Sequence, residues 1–439
     1  MSSPSSGQFF QATAPKAVAF FCHERPDTVE ARDGFGSCLP PHTHRPWRQC
    51  AGADPVPAST RRLRFSCQPC HVSIPPMKIA SFITPHGFGH AARQSALLAA
   101  LQKKQPELEV MLYGRSPASF FEETLTPGSW TMRELETDVG LVQIDPIKAD
   151  LPASVEKLRR MYPLDNGLIR TLAKDLRNQR CSLVIADIAP MGIAAAKAAG
   201  LPVVLVENFT WDWIYQPYER EWPDFVAINH ELRALYSRAD YHIKTEPWCA
   251  DSPDCLKTPP ISRSITLGRE QARQRLGVSA TEKTVLITHG GTESNHHELD
   301  HLSELPDVTF VVPGATPGAP VKRDNLLLLP RKSHCYHPNL INASDVVIGK
   351  LGYSTIAEIH QAGTPFGYIC RDDFRESGPL AEYVEKNMSA LHIGLQEYES
   401  GEWVARLPEL LALPRGGAPD QFGADIAAAH IRNILENLS

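Results

Sequence analysis

The chain lacks any apolar segment long enough to cross a membrane, and it lacks a large excess of one charge. Its longest candidate run, residues 192–206, is interrupted by Lys197 and Pro202 and is short of the roughly 20 apolar residues that a spanning helix needs. The formal net charge is -6 with a pI near 6.3, which gives no global field for attracting nucleic acid or an anionic bilayer. We therefore expect a soluble protein with no nucleic-acid partner and no transmembrane segment, while peripheral contact with a membrane stays open.

The cysteine pattern does not suit a disulfide framework. Five of the ten cysteines lie in the first 76 residues, and the other five are scattered along the rest of the chain. An odd number of dispersed cysteines is typical of reduced thiols. We therefore expect a cytoplasmic location.

Residues 1–76 differ in kind from the rest of the sequence. They hold 11 of the 37 prolines and show no sustained helix or strand periodicity. Because such a segment cannot bury enough apolar surface to order a core, we predict a disordered extension. Met77 directly precedes the first convincing strand, so it is also a candidate for the true start of the protein.

This extension contains one metal-like motif. Residues 67–71 read CQPCH, which formally matches the pattern for covalent haem attachment. A proline-rich stretch supplies no pocket for haem, so we interpret the match as coincidence. A zinc site stays an alternative, with ligands from the following set: Cys50, Cys67, Cys70 and either His42 or His44.

Several common nucleotide motifs are also missing. The chain has no Walker sequence and no G-x-G-x-x-G with an acidic residue about 20 positions later. These absences disfavour ATP hydrolysis and NAD chemistry. No Asp-x-Asp sits at a predicted strand end, where it would hold a metal–diphosphate pair, so we expect metal independence and no cofactor.

The most informative segment that is present is 77–90, which reads MKIASFITPHGFGH. An apolar run of strand length breaks into a loop with two glycines, Gly87 and Gly89, and the good helix formers of 91–101 follow. A turn of this kind brings the backbone and the first N–H groups of the helix close to a ligand. His86 and His90 titrate near neutral pH in their ordinary state, so the loop is a candidate acid–base site.

Alternating strands and helices continue to the end of the chain. Apolar strands are predicted at 109–113, 182–187, 203–206, 284–288, 308–312, 345–348 and 366–370, with helices between them that include a long one at 151–178. This pattern and the length predict an α/β protein with two doubly wound, Rossmann-like domains around a shared cleft. We place the domains at 77–246 and 263–420, joined by a linker at 247–262, with a last helix at 421–439 that packs back on the first domain.

A second segment that could bind a ligand spans 345–365. It reads DVVIGKLGYSTIAEIHQAGTP, in which a buried strand leads into a glycine loop and a helix. Ser354 and Thr355 at the helix start would offer hydroxyls and backbone donors to an anion such as a diphosphate. Glu358, about one turn later, could accept hydrogen bonds from ribose hydroxyls. The alternative is that Ser354 and Glu358 only cap and solubilise an ordinary helix.

Together, HGFGHAAR at 86–93 and GKLGYSTIAEIHQAGTPFGYICRDDF at 349–374 resemble the glycosyltransferase-B superfamily. More narrowly, they resemble glycosyltransferase family 28, the peptidoglycan N-acetylglucosaminyltransferase and the N-terminal region of plant arabinokinases. Residues 183–187, 207–213 and 288–291 support the likeness, which spans 77 to about 400. The first loop departs from the G-G-x-G-G-H of the peptidoglycan enzyme, and there is no strong apolar patch for a lipid-linked acceptor, so the acceptor assignment does not transfer.

This resemblance implies a GT-B fold and a nucleotide-sugar donor held by the C-terminal domain, with a UDP-sugar favoured. The donor-binding residues it implies are His289, Gly290, Gly291, Lys350, Gly352, Ser354, Thr355, Glu358, Asp372, Asp373 and Phe374. Among them, Lys350 would add a positive charge beside the departing diphosphate, unless it is an ordinary solvated lysine.

The resemblance also implies a base. His90 matches the histidine that precedes the first long helix, and it would deprotonate the acceptor hydroxyl. Asp187 at a nearby strand end would orient the imidazole, and His86 is the rival base. We therefore predict an inverting, metal-independent glycosyltransferase of hexosyltransferase type, acting on an unidentified acceptor. The alternatives are a nucleotide-sugar epimerase or hydrolase of the same fold, and a non-catalytic nucleotide-sugar-binding module.

Overall fold

A computed structural model describes residues 77–144, 149–288, 302, 305–330, 335–371 and 374–438. Over these residues the chain forms two mostly parallel sheets, each covered by helices on both faces. We call each sheet with its helices a lobe. The predicted extension at 1–76 and the cysteine–histidine motif within it lie outside the described residues.

The first sheet is entirely parallel, with strand order β3-β2-β1-β4-β5-β6-β7. Its strands are β1 (Lys78–Ile83), β2 (Glu109–Gly114), β3 (Trp130–Glu134), β4 (Cys181–Asp187), β5 (Val203–Glu207), β6 (Tyr241–Thr245) and β7 (Leu256–Thr258). Its helices are α1 (Phe88–Lys104), α2 (Ser119–Glu122), α3 (Leu151–Met161), α4 (Asn166–Asn178), α5 (Pro190–Ala199), α6 (Trp211–Tyr215) and α7 (Asp224–Tyr236).

The second sheet has the order β10-β11-β9-β8-β12-β13-β14 and is parallel except for the antiparallel pair of β10 and β11. Its strands are β8 (Lys283–Thr288), β9 (Val308–Thr316), β10 (Val321–Arg323), β11 (Leu326–Pro330), β12 (Val346–Lys350), β13 (Phe366–Ile369) and β14 (Ala390–His392). Its helices are α8 (Arg269–Leu276), α9 (His337–Ala343), α10 (Tyr353–Ala362), α11 (Ser377–Asn387), α12 (Leu395–Ser400) and α13 (Leu407–Ala412).

The continuous apolar runs explain the parallel arrangement. Ile79, Phe82, Val347 and Ile348 are all completely buried, as expected for strands with helices packed on both faces. Each sheet accordingly separates two clusters of buried apolar side chains, one on each face.

The last helix, α14 (Gly423–Leu438), belongs in space to the first lobe. Its buried side chains, including Ala427, Ala428 and Ile431, join the cluster that contains Leu97 of α1. The chain therefore crosses from the first lobe to the second and returns. The domain boundaries given above stay predictions.

Two features of the fold differ from the sequence prediction. The helix predicted over 151–178 is two helices, α3 and α4, because Pro163 lacks the N–H that would continue the first one. The short strands β3, β6, β7, β10, β11 and β14 were not predicted, because three to five residues are too few to establish a strand period, even in β11, which reads LLLLP.

Candidate functional site

The two sheets each have a topological switch point, and both switch points face one cavity. In the first sheet the strand order reverses between β1 and β4, and in the second between β8 and β12. Ligands of open α/β sheets bind beyond the carboxyl ends of strands at such points. The cavity has a volume of about 540 Å³ and is lined by residues of both lobes, among them His90, Asn208, Lys350, Thr355 and Arg371.

The turn between β1 and α1 directs the first helix at this cavity. Gly87 has φ of 81°, a left-handed conformation that favours glycine. The helix begins at Phe88, slightly earlier than predicted, so His90 lies in its first turn. Gly89 is helical rather than part of the turn, so the prediction that it bends the loop is wrong.

His90 and Asp187 are in direct contact, as the sequence analysis predicted for base and orienter. The imidazole Nδ1 lies 2.8 Å from Asp187 Oδ1, and both side chains are buried. Burial alone would raise the pKa of Asp187, but Arg93 and His90 hold it below its ordinary value. A carboxylate accepts hydrogen bonds, so in the tautomer that donates from Nδ1 to Asp187 the neutral ring keeps its lone pair on Nε2.

Arg93 is a member of this cluster that the sequence analysis missed. Its guanidinium binds both oxygens of Asp187 and also donates to Asn208 Oδ1 at 2.7 Å. Asn208 in turn donates to Glu376 Oε1 of the second lobe at 2.8 Å. Arg93 follows His90 by three residues on the same helix face, and this spacing is the signal that could have identified it.

His86 lines the same cavity but is packed differently. Its ring lies edge-on to Trp211, at 5.1 Å between centroids, and 6.3 Å from the ring of Phe374. Gly140 abuts the imidazole so closely that an added Cβ would lie 2.5 Å from Nδ1. Burial, together with the neighbouring His90, lowers the pKa of His86 to about 3, so this ring is neutral at pH 7.

The N-terminus of α10 forms the opposite wall of the cavity. The helix starts after Gly352, so Ser354 and Thr355 lie in its first turn, where backbone N–H groups have no partner within the helix. A Cβ added to Gly89 would lie 3.5 Å from Ser354 Oγ. The first turns of α1 and α10 therefore meet, and the positive ends of both helix dipoles face one space.

Two of the cations that line the cavity belong to the second lobe. Lys350 ends β12 and Arg371 follows β13. Burial, and the neighbouring charge of Arg371, lower the pKa of Lys350 to about 8, so it is not the solvated lysine of the alternative interpretation. Arg371 is 8% exposed, and its Nε has no hydrogen-bond partner. Sequence analysis missed Arg371, although its place directly after a strand was a usable signal.

Glu358 lies behind the cavity wall, with both carboxylate oxygens engaged. Oε1 accepts from Arg263 Nε at 2.8 Å, and Oε2 lies 2.7 Å from His337 Nδ1. Burial opposes the charge, but Arg263 and then His337 lower the pKa of Glu358 to about 2. Arg263 also donates to Glu123 of the first lobe. Ribose binding by Glu358 stays a prediction. Glu358 itself is buried, so it is not a solvent-exposed helix cap.

A short segment of the second lobe touches the first. Phe374 belongs to a core cluster of the first lobe and lies edge-on to Phe209. Arg375 lies 4.0 Å from the centroid of the Trp213 ring, and Glu376 accepts from Asn208. Phe374 was predicted to contact the donor, and it does line the cavity.

Several predicted donor residues lie outside the described part of the chain. These are His289, Gly290, Gly291, Asp372 and Asp373. Among the described residues, no group of three or more His, Cys, Asp and Glu side chains is arranged to hold a metal ion. None of the helices in this part of the chain is long and apolar enough to cross a membrane.

Comparison with known proteins identifies two sequence relatives. Over 359 residues, 80% of this chain, it is 26% identical to the L-arabinokinase of Arabidopsis thaliana, of which it spans only 33%. Over 319 residues it is 22% identical to UDP-N-acetylglucosamine–N-acetylmuramyl-(pentapeptide) pyrophosphoryl-undecaprenol N-acetylglucosamine transferase of Exiguobacterium sp., covering 69% of this chain and 81% of that enzyme. No protein-family model matches the chain.

The fold is also similar to solved structures. A UDP-glucosyltransferase from Polygonum tinctorium, capable of glucosylating indoxyl, superposes with a TM-score of 0.55 at 14% identity, over 82% of this chain and 99% of that structure. The predicted α/β class with two Rossmann-like lobes is confirmed as a GT-B fold. The predicted resemblance to the glycosyltransferase-B superfamily is likewise confirmed.

The Glu358 ion pairs predict a strong effect on stability. In Glu358→Gln the buried guanidinium of Arg263 loses a carboxylate partner, so we expect unfolding to become easier by about 3 to 5 kcal/mol. The exposed Glu382→Gln is the control and should change little. Thermal unfolding measured from pH 7 downwards is the test.

The pH dependence gives a second readout of the same variant. Because the pKa of Glu358 falls from 4.5 to about 2 on folding, its contribution is fully present above pH 4.5 and is lost as the pH falls towards 2. The difference in melting temperature between the unaltered chain and Glu358→Gln should shrink over that range. A constant difference would show that the carboxylate charge does not matter.

Proposed function

We propose that the chain is an inverting, metal-independent glycosyltransferase that moves a sugar from a nucleotide-sugar donor, with a UDP-sugar favoured, to an acceptor hydroxyl. The observation that carries the proposal is one cavity with a carboxylate-held imidazole on one wall and a helix N-terminus with two cations on the other. A base and an anion site facing each other are what this reaction requires. The transferase named above as a sequence relative supports the same reaction class.

The second lobe would hold the donor. Backbone N–H groups of the first turn of α10, the hydroxyls of Ser354 and Thr355, and the charges of Lys350 and Arg371 are suited to a diphosphate. His289, Gly290 and Gly291 would complete the phosphate site. Glu358 would accept from the ribose through lone pairs that Arg263 and His337 leave free. Asp372, Asp373 and Phe374 would contact the sugar.

The first lobe would supply the base. Nε2 of His90 takes the proton of the acceptor hydroxyl while the acceptor oxygen forms a bond to the anomeric carbon. On the opposite face, the bond from that carbon to the diphosphate oxygen breaks, and its electron pair leaves with the nucleoside diphosphate. Attack and departure on opposite faces invert the configuration.

Two pKa values favour this division of roles. A pKa of about 3 makes His86 a weak base, since an efficient general base has a pKa near the working pH. Lys350 has a pKa of about 8 and is mostly charged at neutral pH. Lys350 and Arg371 would neutralise the leaving group in place of a divalent cation, which supports metal independence.

The donor class is tested by thermal shift with UDP-, GDP- and dTDP-sugars, each with and without EDTA. We expect one nucleotide family, the UDP-sugars, to raise the melting temperature, and chelator to leave the shift unchanged. At 100 times the dissociation constant the stabilisation should reach about 2.7 kcal/mol. No stabilisation by any nucleotide sugar, or a shift that EDTA abolishes, would contradict the proposal.

His90→Ala tests the base. Without general-base assistance, kcat should fall by a factor of about 10² to 10⁴, while donor affinity changes little because His90 belongs to the acceptor side. His86→Ala is the comparison and should retain more activity. Release of free sugar at an acceptor-independent rate would identify a hydrolase, and an unaltered chain with no turnover would indicate a binding module.

Lys350→Met and Arg371→Met test the leaving-group site. Each removes a buried charge from the diphosphate, so UDP affinity should fall about 10- to 100-fold, whereas uridine affinity should hold. Arg115→Met, which removes a half-exposed cation from the cavity rim, is the matched control. Isothermal titration calorimetry measures both ligands. Equal losses for UDP and uridine would indicate a misfolded site instead of a missing charge.

A further inference from the structure

Arg93 carries a buried positive charge beside His90, the proposed base. The proposed reaction assigns this arginine no step of its own. Arg93 is 1% exposed, and a permanent charge at such a position is costly unless it is well paired. Nε donates to Asp187 Oδ2 at 3.0 Å, and Nη2 donates to Oδ1 at 2.6 Å. This two-point contact fixes the plane of the carboxylate.

The same guanidinium also contacts the imidazole. Arg93 Nη2 lies 3.0 Å from His90 Nδ1, so arginine and histidine share the single oxygen Asp187 Oδ1. In the tautomer that bonds to Asp187, Nδ1 carries a proton and cannot accept from Arg93. A second proton, at Nε2, would create an imidazolium in contact with a guanidinium.

Other titratable groups lie near this cluster, among them Asp138, whose pKa is raised to about 7 by burial and also by the neighbouring Asp187. His86 approaches from the preceding loop and is neutral at pH 7. Glu207 and Tyr353 act on Arg93, while Lys350 and Arg371 lie across the cavity. Glu376 there is bonded to Asn208. Among the described residues, Asp187 is the carboxylate that bonds to His90, and its charge is already matched by Arg93.

We propose that Arg93 is a positioning residue that orients Asp187 and opposes protonation of His90, so that the imidazole stays neutral with Nε2 free. The inference rests on the proposed role of His90 as the base. A carboxylate alone would orient the ring but would also favour the imidazolium, which cannot accept a proton. Arg93 lets Asp187 keep the imidazole oriented, while its positive charge opposes the imidazolium that the carboxylate would favour.

Arg93 is held from both lobes. Its guanidinium carbon lies 4.8 Å from the centroid of the Tyr353 ring, the first residue of α10. Its Nη1 reaches Glu376 through Asn208. The protonation state of the base therefore depends on contact between the acceptor lobe and the proposed donor lobe.

The unaltered protein gives the first test, by ¹⁵N NMR of histidine-labelled chain without substrate. At pH 7 we expect His90 as the neutral Nδ1–H tautomer, with its signals assigned by their loss in His90→Gln. An imidazolium or an Nε2–H tautomer at pH 7 overturns the inference. This readout needs no activity, so it is independent of whether the chain transfers sugars.

Variants of Arg93 give the second test. In Arg93→Met the imidazolium of His90 should persist to a pH higher by about 1 to 3 units. The acid side of the pH profile of kcat should shift to higher pH by the same amount. Arg93→Lys keeps the charge, so that side of the profile should stay in place while kcat falls because the two-point contact is lost. Arg238→Met, an exposed arginine, is the matched control and should change neither.

A folded Arg93→Met protein whose His90 titrates like the unaltered chain overturns the inference. If that variant does not fold, Arg93→Lys decides together with the NMR spectrum of the unaltered protein. In Arg93→Lys the charge is kept, so the acid side of the pH profile of kcat should not move. If it moves as far as in Arg93→Met, by about 1 to 3 pH units, packing and not charge sets the protonation state, and the inference is overturned.

Discussion

The buried carboxylate of Asp187 is the contact on which the arrangement of the site depends. It lies at the end of β4, beside the switch point of the first sheet, and it binds two residues on one face of α1 near the start of the helix. His90 and Arg93 are thereby fixed relative to the sheet, and through Asn208 the same cluster reaches Glu376 in the second lobe. Removing a partner from such a buried ionic cluster costs far more than an exposed ion pair contributes. The cluster therefore links the stability of the first lobe to the geometry of the proposed base.

The second constraint is the meeting of two helix N-termini. α1 and α10 each follow a strand that borders a switch point, β1 and β12 respectively, and their first turns come together at Gly89 and Ser354. Two positive dipole ends, Lys350 and Arg371 make this space strongly suited to an anion. The pKa of Lys350 near 8 reflects first its burial and then the neighbouring charge of Arg371.

Much of this architecture could be predicted because it is encoded locally. The buried strands are continuous apolar runs, and the loops before α1 and α10 carry glycines beside chemically active side chains, so the fold class and the His90–Asp187 pair were predicted. The partners of those residues were not. Arg93 meets Asn208 across 115 positions, and Arg263 meets Glu358 across 95, and no local pattern specifies such contacts. Glu358 illustrates the difficulty, since its place on α10 suggested an open carboxylate whereas Arg263 and His337 enclose it.

The segment 374–376 has a consequence for how this protein could change during evolution. Three consecutive side chains there contact the first lobe, through Phe209, Trp213 and Asn208 respectively. Asp372 and Asp373, just before it, and Phe374 itself are the residues proposed to contact the sugar. If these residues set the sugar preference, mutations that alter it lie next to residues that connect the two lobes. Divergence towards new sugars would then be slow at this segment and would require compensating changes in the partner surface around Asn208.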